Sequence, residues 1–190
     1  TTEILKQNGI NFTPEEKNAF ESEFEKHKDA SRSASAGMFK GGLAQSSDIT
    51  TKLHTATHLL HAALRQILGE HVGQKGSHIT SERLRFDFSH PQKLSDEEIK
   101  NVEDLINLKI KEDFPVTFIE MPREKAITSG AMHFFAEKYG EKVKVYTIGS
   151  FSKEICGGPH VTHTATIGNV NIIKQEKIGS GIIRLYASLR

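Results

Sequence analysis

Apolar residues recur with helical spacing between about Ile49 and Leu68. The recurring positions, three or four residues apart for the most part, are Leu53, Ala56, Leu60, Leu64, Ile67 and Leu68. Gly69 follows directly, and glycine is common just after a helix because it tolerates backbone conformations that other residues avoid. The pattern therefore predicts one long amphipathic helix that ends at Gly69.

Two other segments carry signals for the start of a helix. Ser95 and Glu98 form a reciprocal capping pair, and the apolar positions after them are Ile99, Val102, Leu105, Ile106 and Ile110. Thr13 and Glu16 repeat the capping pattern around Pro14 near the N-terminus. We expect an amphipathic helix after Ser95 and a more polar helix after Thr13. A short helix is also predicted from about Ala131 to Lys138.

Strand-like segments lie between and after these helices. Residues 84–88 alternate as a half-buried strand does, and further runs are predicted at residues 116–121, 143–148, 169–175 and 182–189. Helices and strands are mixed without a regular βαβ rhythm. This order favours an α+β fold with a mainly antiparallel sheet packed against helices.

The N-terminal region differs from the rest of the chain. Its helix is followed by a small, polar run at residues 31–37, and a short extended segment is predicted at residues 38–43. We therefore predict an N-terminal helical linker segment at 1–37 and a main domain at 38–190. The chain begins with Thr1 and lacks an initiator Met, which favours a piece of a longer protein.

Composition narrows the possible classes of protein. Charged residues make up 26% of the chain and the formal net charge is +1, so any contact with nucleic acid must be local. No apolar run is long enough to span a membrane, and we expect no membrane partner. Cys156 is the single cysteine, which excludes an internal disulfide and favours a reducing, cytoplasmic location.

Two pairs of candidate metal ligands stand out. His54 and His58 lie four residues apart on the long helix, beside its apolar face, and Cys156 and His160 lie four apart in a Gly-rich turn. Two histidines, a cysteine and a third histidine are a normal set of four zinc ligands. Each pair alone has an ordinary explanation, a helix-surface coincidence or a small buried thiol. His61 and His163 lie near the pairs and can also be ligands.

Known zinc patterns argue against two alternative classes of zinc protein. A zinc metallopeptidase carries Glu directly after the first helix histidine, where this chain has Thr55. Zinc fingers keep their ligand pairs within a few tens of residues, whereas these pairs are far apart along the chain. The metal is therefore expected to join distant parts of a folded domain.

Five motifs together resemble one known family. They occur in the order Phe39-Lys-Gly-Gly-Leu43, His54-Thr-Ala-Thr-His58, Gln74-Lys-Gly-Ser77, Leu84-Arg-Phe-Asp-Phe88 and Cys156-Gly-Gly-Pro-His160. The combination is similar to the editing domains of alanyl-tRNA synthetases. Freestanding editing proteins and the editing domain of threonyl-tRNA synthetases share the two metal pairs. Residues 38–190 would then be a zinc-containing editing domain.

The resemblance implies an activity and a site. The family hydrolyses the ester of seryl- and glycyl-tRNA formed by mistake on the alanine tRNA, so the acceptor end of tRNA(Ala) and the rest of the synthetase are the implied partners. By position, the zinc ligands would be His54, His58, Cys156 and His160. The implied substrate-binding residues are Thr57, Gln74 and, more weakly, Ser77. Because four protein ligands form a closed shell, we expect zinc to hold the site together and position the substrate.

Several points stay open at this stage. No general base is assigned, and Glu154, the nearest acid, is expected to be a surface residue. The chain has Pro159 where the family usually has Thr, and Ile183 stands where the family tends to have the first of two arginines. If that arginine contacts RNA, tRNA affinity would be lower here. The alternatives are a freestanding editing protein and a zinc-stabilised tRNA-binding module without catalysis.

Overall fold

The computed structural model describes residues 46–133 and 140–190, together with residues 13, 16, 18, 19, 22, 23, 26, 43 and 44. The chain divides into two compact units, Thr1–Phe39 and Lys40–Arg190. In the first unit, every described residue from Glu16 to Lys26 is helical. Thr13 and Glu16 exchange the expected capping bonds, at 2.9 and 3.2 Å. The role of residues 1–37 as a linker stays a prediction, as does the boundary at residue 38.

The described part of the second unit contains three α-helices and seven strands. The helices are α1 (Asp48–Leu68), α2 (Asp96–Lys111) and α3 (Arg123–Thr128), and a 3-10 turn spans Thr164–Ile167. The strands are β1 (Gln74–Ile79), β2 (Leu84–Ser89), β3 (Val116–Pro122), β4 (Lys142–Ile148), β5 (Ser152–Ile155), β6 (Val170–Gly179) and β7 (Ile182–Leu189). No helix formed by the described residues is long and apolar enough to cross a lipid bilayer.

The strands form two sheets, both antiparallel. One has the order β1-β2-β7-β6 and the other the order β3-β4-β5. Every strand pair within them is antiparallel. The predicted α+β class with antiparallel pairing is thereby confirmed.

Helix α1 occupies the centre of this unit. It contacts α2, strands β1 and β2 of the first sheet, and β5 of the second. Its residues from Leu53 to Leu64 are all buried, including five polar ones, His54, Thr55, Thr57, His58 and His61. A helix buried on so many sides has polar side chains that need partners inside the protein. The histidines of α1 find those partners in β5 and the turn after it.

Helix starts follow the sequence signals closely. Ser95 accepts from the Glu98 amide at 3.1 Å, and the Glu98 carboxylate accepts from the Ser95 amide at 2.7 Å. Ser47 and Thr50 make the equivalent pair in front of α1. Each pair satisfies two backbone donors that would otherwise lack a partner at the helix end.

Other local predictions were incomplete. Strands β1 and β5 and helix α3 were not predicted, because the first two are short and polar and α3 has six residues. The helix expected from Ala131 is absent from Ala131–His133, where Met132 forms a bridge with Glu154 instead. The rest of that expected helix lies outside the described residues. In the segment expected to be extended at 38–43, Leu43 bridges Ile79 and the other residues lie outside the description.

Candidate metal centre

The four predicted metal ligands come from two elements. Helix α1 carries His54 and His58 on adjacent turns, both on its buried side. Strand β5 leads directly into Cys156, whose amide donates to the Lys144 carbonyl at 3.1 Å. That bond extends the β4–β5 pairing by one residue and fixes the start of the Gly-rich turn. His160 lies at the end of the turn, where its side chain contacts α1.

The structure brings these four side chains into one group. One ligand atom from each lies within 4.8 Å of those of the others. The thiol sulfur of Cys156 is 3.4 Å from Nε2 of His54. The ring of His160 stacks on that of His54 with centroids 4.3 Å apart and meets His58 at 4.5 Å. This arrangement can hold a metal ion between the two elements.

The hydrogen bonds around the rings direct one nitrogen of each imidazole to this centre. Nδ1 of His54 donates to the Pro159 carbonyl at 2.9 Å, which leaves Nε2 as the acceptor. Thr55 already donates its hydroxyl proton to the Thr51 carbonyl, so it accepts from Nδ1 of His160 at 3.2 Å. Nε2 of His160 is buried and has no hydrogen-bond partner among the described residues. Metal-binding histidines commonly use their second nitrogen in this way.

Burial favours the neutral forms of the four candidate ligands, which are the unprotonated imidazoles and the protonated thiol. Desolvation, aided by His58, lowers the pKa of His54 to about 3. Desolvation also lowers the pKa of His58, and it lowers the pKa of His160 well below its ordinary value. All three imidazoles are therefore neutral near pH 7. Burial raises the pKa of the Cys156 thiol to about 12, and a bound cation would favour its thiolate.

Glu154 is not a surface residue, so the sequence-based expectation was wrong. It is only 4% exposed. His61 donates from Nδ1 to its Oε1 at 3.0 Å, and Nδ1 of His58 lies 3.6 Å from its Oε2. Burial alone would raise the pKa of Glu154, but His58, His61 and Ser152 together lower it. The Glu154 carboxylate thus faces Nδ1 of one candidate ligand, His58.

The two alternative histidines lie outside the group of four. His61 is fully buried and uses Nδ1 for its bond to Glu154. His163 is exposed, and its Nδ1 is 3.4 Å from a carboxylate oxygen of Asp113. The geometry therefore favours the set that the motifs implied, although its role as a ligand set stays a prediction.

The predicted substrate-binding residues do not belong to the group itself. Thr57 is buried on α1 and donates to the Leu53 carbonyl at 2.8 Å, so its oxygen retains the capacity to accept. Gln74 pairs across the strands with Phe88, and Ser77 pairs with Phe86. Cross-strand partners share a sheet face. Gln74 and Ser77 therefore lie on the face that α1 covers, and their role in substrate binding stays a prediction.

The two departures from the family pattern have clear positions. The Pro159 carbonyl holds His54, a contact that any residue at this position can make through its backbone. Ile183 is fully buried in the core, so position 183 offers no surface for RNA in this chain. Arg184 binds Asp87 through two nitrogens at 2.7 and 2.8 Å. Arg184 thus links β7 to β2.

Sequence reasoning missed the importance of Glu154, although the chain contained a signal for it. Ser152, Glu154 and Cys156 alternate in sequence, as residues on one face of a strand do. If Cys156 faces a buried metal centre, Glu154 is expected to face the same way.

Comparison with known proteins agrees with the resemblance drawn from the motifs. Residues 143–186 match the family described as the threonyl and alanyl tRNA synthetase second additional domain. The whole chain aligns with an alanine–tRNA ligase of Treponema denticola at 52% identity, covering 31% of that protein. It aligns equally fully with the ligase of Borrelia hermsii, at 50% identity and 31% coverage. Over 134 residues it is 53% identical to the ligase of Shewanella amazonensis, covering 70% of this chain and 15% of that one.

These matches show which part of the relatives the chain resembles. It spans about a third of the length of the first relatives, 31% in each case. The matched family covers β4, β5, the Gly-rich turn and most of the β6–β7 hairpin. Over its whole length the chain is therefore similar to one region of alanine–tRNA ligases, and residues 143–186 resemble the second additional domain named for threonyl- and alanyl-tRNA synthetases.

Proposed function

We propose that this chain is an editing domain that hydrolyses seryl-tRNA(Ala) and glycyl-tRNA(Ala) at the aminoacyl ester. The observation that carries the proposal is the buried group of His54, His58, Cys156 and His160. These four come from two motifs about 100 residues apart, in a chain half identical to alanine–tRNA ligases. The partners of the domain are the acceptor end of tRNA(Ala) and the rest of the synthetase, in the cytoplasm.

Zinc is the metal that best suits this donor set. Three neutral imidazoles and one thiolate match the nitrogen and sulfur ligands that zinc prefers. When bound, zinc supplies a Lewis-acid centre that can orient and polarise the aminoacyl ester. Because its four protein ligands form a closed set, we assign it mainly to holding α1 against the Gly-rich turn. Glu154 orients His58, and no side chain is assigned as a general base.

Selectivity for serine over alanine needs polar groups in the pocket. The two substrates differ by one hydroxyl, which an apolar pocket distinguishes poorly, whereas a pocket that hydrogen-bonds the hydroxyl distinguishes it well. We assign this role to Gln74 and Thr57, with Ser77 beside them. The register of β1 and the burial of Thr57 on α1 support this assignment.

The relatives favour a synthetase domain over a freestanding editing protein. The first relatives are ligases of which the chain covers 31%. A tRNA-binding module without catalysis would share the fold and the metal. Such a module would not hydrolyse the ester, so a measurement of ester hydrolysis distinguishes it from an editing domain.

The decisive experiment measures hydrolysis of three charged tRNAs by the zinc-loaded chain. We expect seryl- and glycyl-tRNA(Ala) to be hydrolysed far faster than alanyl-tRNA(Ala). Cys156→Ala should lose both zinc and activity, because the thiolate is the softest ligand. His163→Ala is the matched control and should retain both, since His163 is exposed and outside the group. Protein that binds tRNA but leaves seryl-tRNA intact would favour the non-catalytic module.

A further inference from the structure

A half-exposed aromatic side chain, Phe118, lies one ring away from the candidate metal centre. Phe118 is 47% exposed, which is unusual for a phenylalanine on a sheet. Its ring centroid is 5.1 Å from that of Tyr146. The Tyr146 ring in turn is 4.2 Å from that of His160. A continuous row of three rings therefore connects the surface with a candidate metal ligand.

Strand register explains why these rings line up. Phe118 of β3 is the cross-strand partner of Tyr146 of β4, and Tyr146 is the partner of Glu154 of β5. The three side chains thus share one face of the three-stranded sheet. Glu154 lies at the buried end of that face and Phe118 at its open end. The neighbouring Ile119 is 65% exposed but belongs to the opposite face.

A positive charge accompanies the exposed ring. The ammonium of Lys144 lies 4.6 Å from the centre of the Phe118 ring. A carboxylate oxygen of Glu120 is 3.8 Å from this ammonium, and the Lys144 and Glu120 side chains are 42% and 60% exposed. An ion pair this exposed contributes little to stability, so the lysine can exchange Glu120 for a stronger anion at small cost. Sites for single-stranded nucleic acid combine aromatic faces, on which bases stack, with positive charges that contact the phosphates.

We propose that Phe118, with Lys144, binds the terminal nucleotide of the tRNA, with the base on the ring and the 5′-phosphate on the ammonium. This binding site rests on the proposed function, because the base that it binds belongs to the nucleotide whose aminoacyl ester is hydrolysed. One ribose separates that base from the ester, and one tyrosine ring separates Phe118 from His160. Every base has an aromatic face, so this contact gives affinity and position without reading sequence.

The test uses a stable analogue, adenosine that carries serine through an amide at its 3′ position. A second compound has the same ribose and serine but no base. Their dissociation constants are measured by calorimetry on zinc-loaded protein. We expect Phe118→Leu to raise the dissociation constant of the analogue with a base about tenfold. The dissociation constant of the compound without a base should rise less than twofold. Phe118→Tyr should restore tight binding, because it retains the aromatic face.

The matched control is Ile119→Ala, which removes a more exposed apolar side chain from the opposite face. It should leave both dissociation constants unchanged. On seryl-tRNA, Phe118→Leu should raise KM about tenfold and change kcat less than twofold. If Phe118→Leu binds both compounds as the parent does, the inference is wrong. An equal loss for both compounds would also contradict it, because the effect would not depend on the base.

The same measurements separate this inference from the proposed function. A parent protein that binds the analogue through Phe118 but leaves seryl-tRNA intact would contradict the function and keep the binding site. A parent that hydrolyses seryl-tRNA with no dependence on Phe118 would keep the function and exclude this site. Failure of the parent to bind the analogue would also exclude it. If this face instead bound a protein, neither compound would compete with that protein for binding, and this outcome would contradict the inference.

Discussion

Glu154 stands behind His58 in the arrangement that metal-binding histidines usually adopt. Its carboxylate accepts from His61 at 3.0 Å and faces Nδ1 of His58 at 3.6 Å. A carboxylate in this position fixes the ring and makes the other nitrogen a better donor to the metal. His61 would therefore influence a metal ion bound at His58 through Glu154, although it lies outside the group of four candidate ligands.

Replacing Glu154 with Gln tests this arrangement. The side chain keeps its size but loses the charge that His58 and His61 face. We expect zinc affinity, measured by competition with a coloured chelator, to fall about 10- to 100-fold. Glu120→Gln is the control, because Glu120 is an exposed acid on β3. Equal zinc affinity in Glu154→Gln and the parent would show that the carboxylate does not support the metal.

The Gln74 side chain gives a prediction about selectivity. A pocket group that pairs with the substrate hydroxyl matters for serine and not for glycine, which has none. Gln74→Ala should therefore slow hydrolysis of seryl-tRNA far more than that of glycyl-tRNA, with zinc retained. The exposed neighbour Lys75 supplies the control, Lys75→Ala. Equal slowing of both substrates would assign Gln74 to the fold or to general tRNA binding.

At the scale of the elements, the turn between β4 and β5 controls the position of the metal-binding segment. Gly149 has φ of +51°, and a Cβ there would lie 2.6 Å from the Phe114 ring. The left-handed conformation alone costs a residue with a side chain about 1–2 kcal/mol. The ring contact adds to this cost. The turn therefore needs glycine, and it sets the path of β5 toward Glu154 and Cys156.

Gly149→Ala should lower the free energy of unfolding by about 2 kcal/mol or more. For a chain of this size each kcal/mol corresponds to roughly 2–4 °C in the melting midpoint. Gly179→Ala is a suitable control, because nothing lies within 4 Å of a Cβ there and its φ is not left-handed. We also expect weaker zinc binding in Gly149→Ala. An unchanged melting midpoint would mean that Phe114 moves aside without cost.

The elements differ in how well the sequence predicted them, for physical reasons. Helix α1 and strand β7 have strong periodic patterns that depend on local sequence, and both were found. Strand β1 is mostly polar and exists because β2 pairs with it, which is a tertiary effect. The four candidate ligands were found through motifs. Glu154 was missed because its burial depends on histidines more than 90 residues away in the chain.

At the scale of the whole molecule, α1 connects the two sheets through its polar residues as well as its apolar ones. It contacts β1 and β2 on one side and β5 on another. The β5 contact includes the His58–Glu154 and His61–Glu154 pairs. Ionisation of these histidines would therefore affect the packing of the entire unit.

Acid should destabilise the zinc-free protein at mildly acidic pH. Burial lowers the pKa of His54 to about 3 and also lowers those of His58 and His160, whose ordinary value is 6.5. Below pH 6.5 the unfolded chain therefore binds more protons than the folded one. Stability is complete above pH 6.5 and falls as the pH decreases toward the folded pKa values. Each histidine contributes a slope of up to about 1.4 kcal/mol per pH unit.

Urea unfolding of chelator-treated protein between pH 7.5 and 5 measures this slope. His163→Ala should show the same slope as the parent, since His163 is exposed. A free energy of unfolding that stays constant across this range would mean that the histidines are accessible to protons in the folded state.

The separation of the two ligand pairs has a consequence for synthesis of the chain on the ribosome. Cys156 emerges 102 residues after His54. At ordinary elongation rates this interval is roughly 5–20 s. During that time α1 can form its backbone hydrogen bonds, but its histidines have neither the thiol nor Glu154 to face. In the nascent chain the histidines of α1 therefore lack their partners and are exposed to chaperones and to free metal ions. This state ends when the Gly-rich turn emerges and completes the group of four candidate ligands.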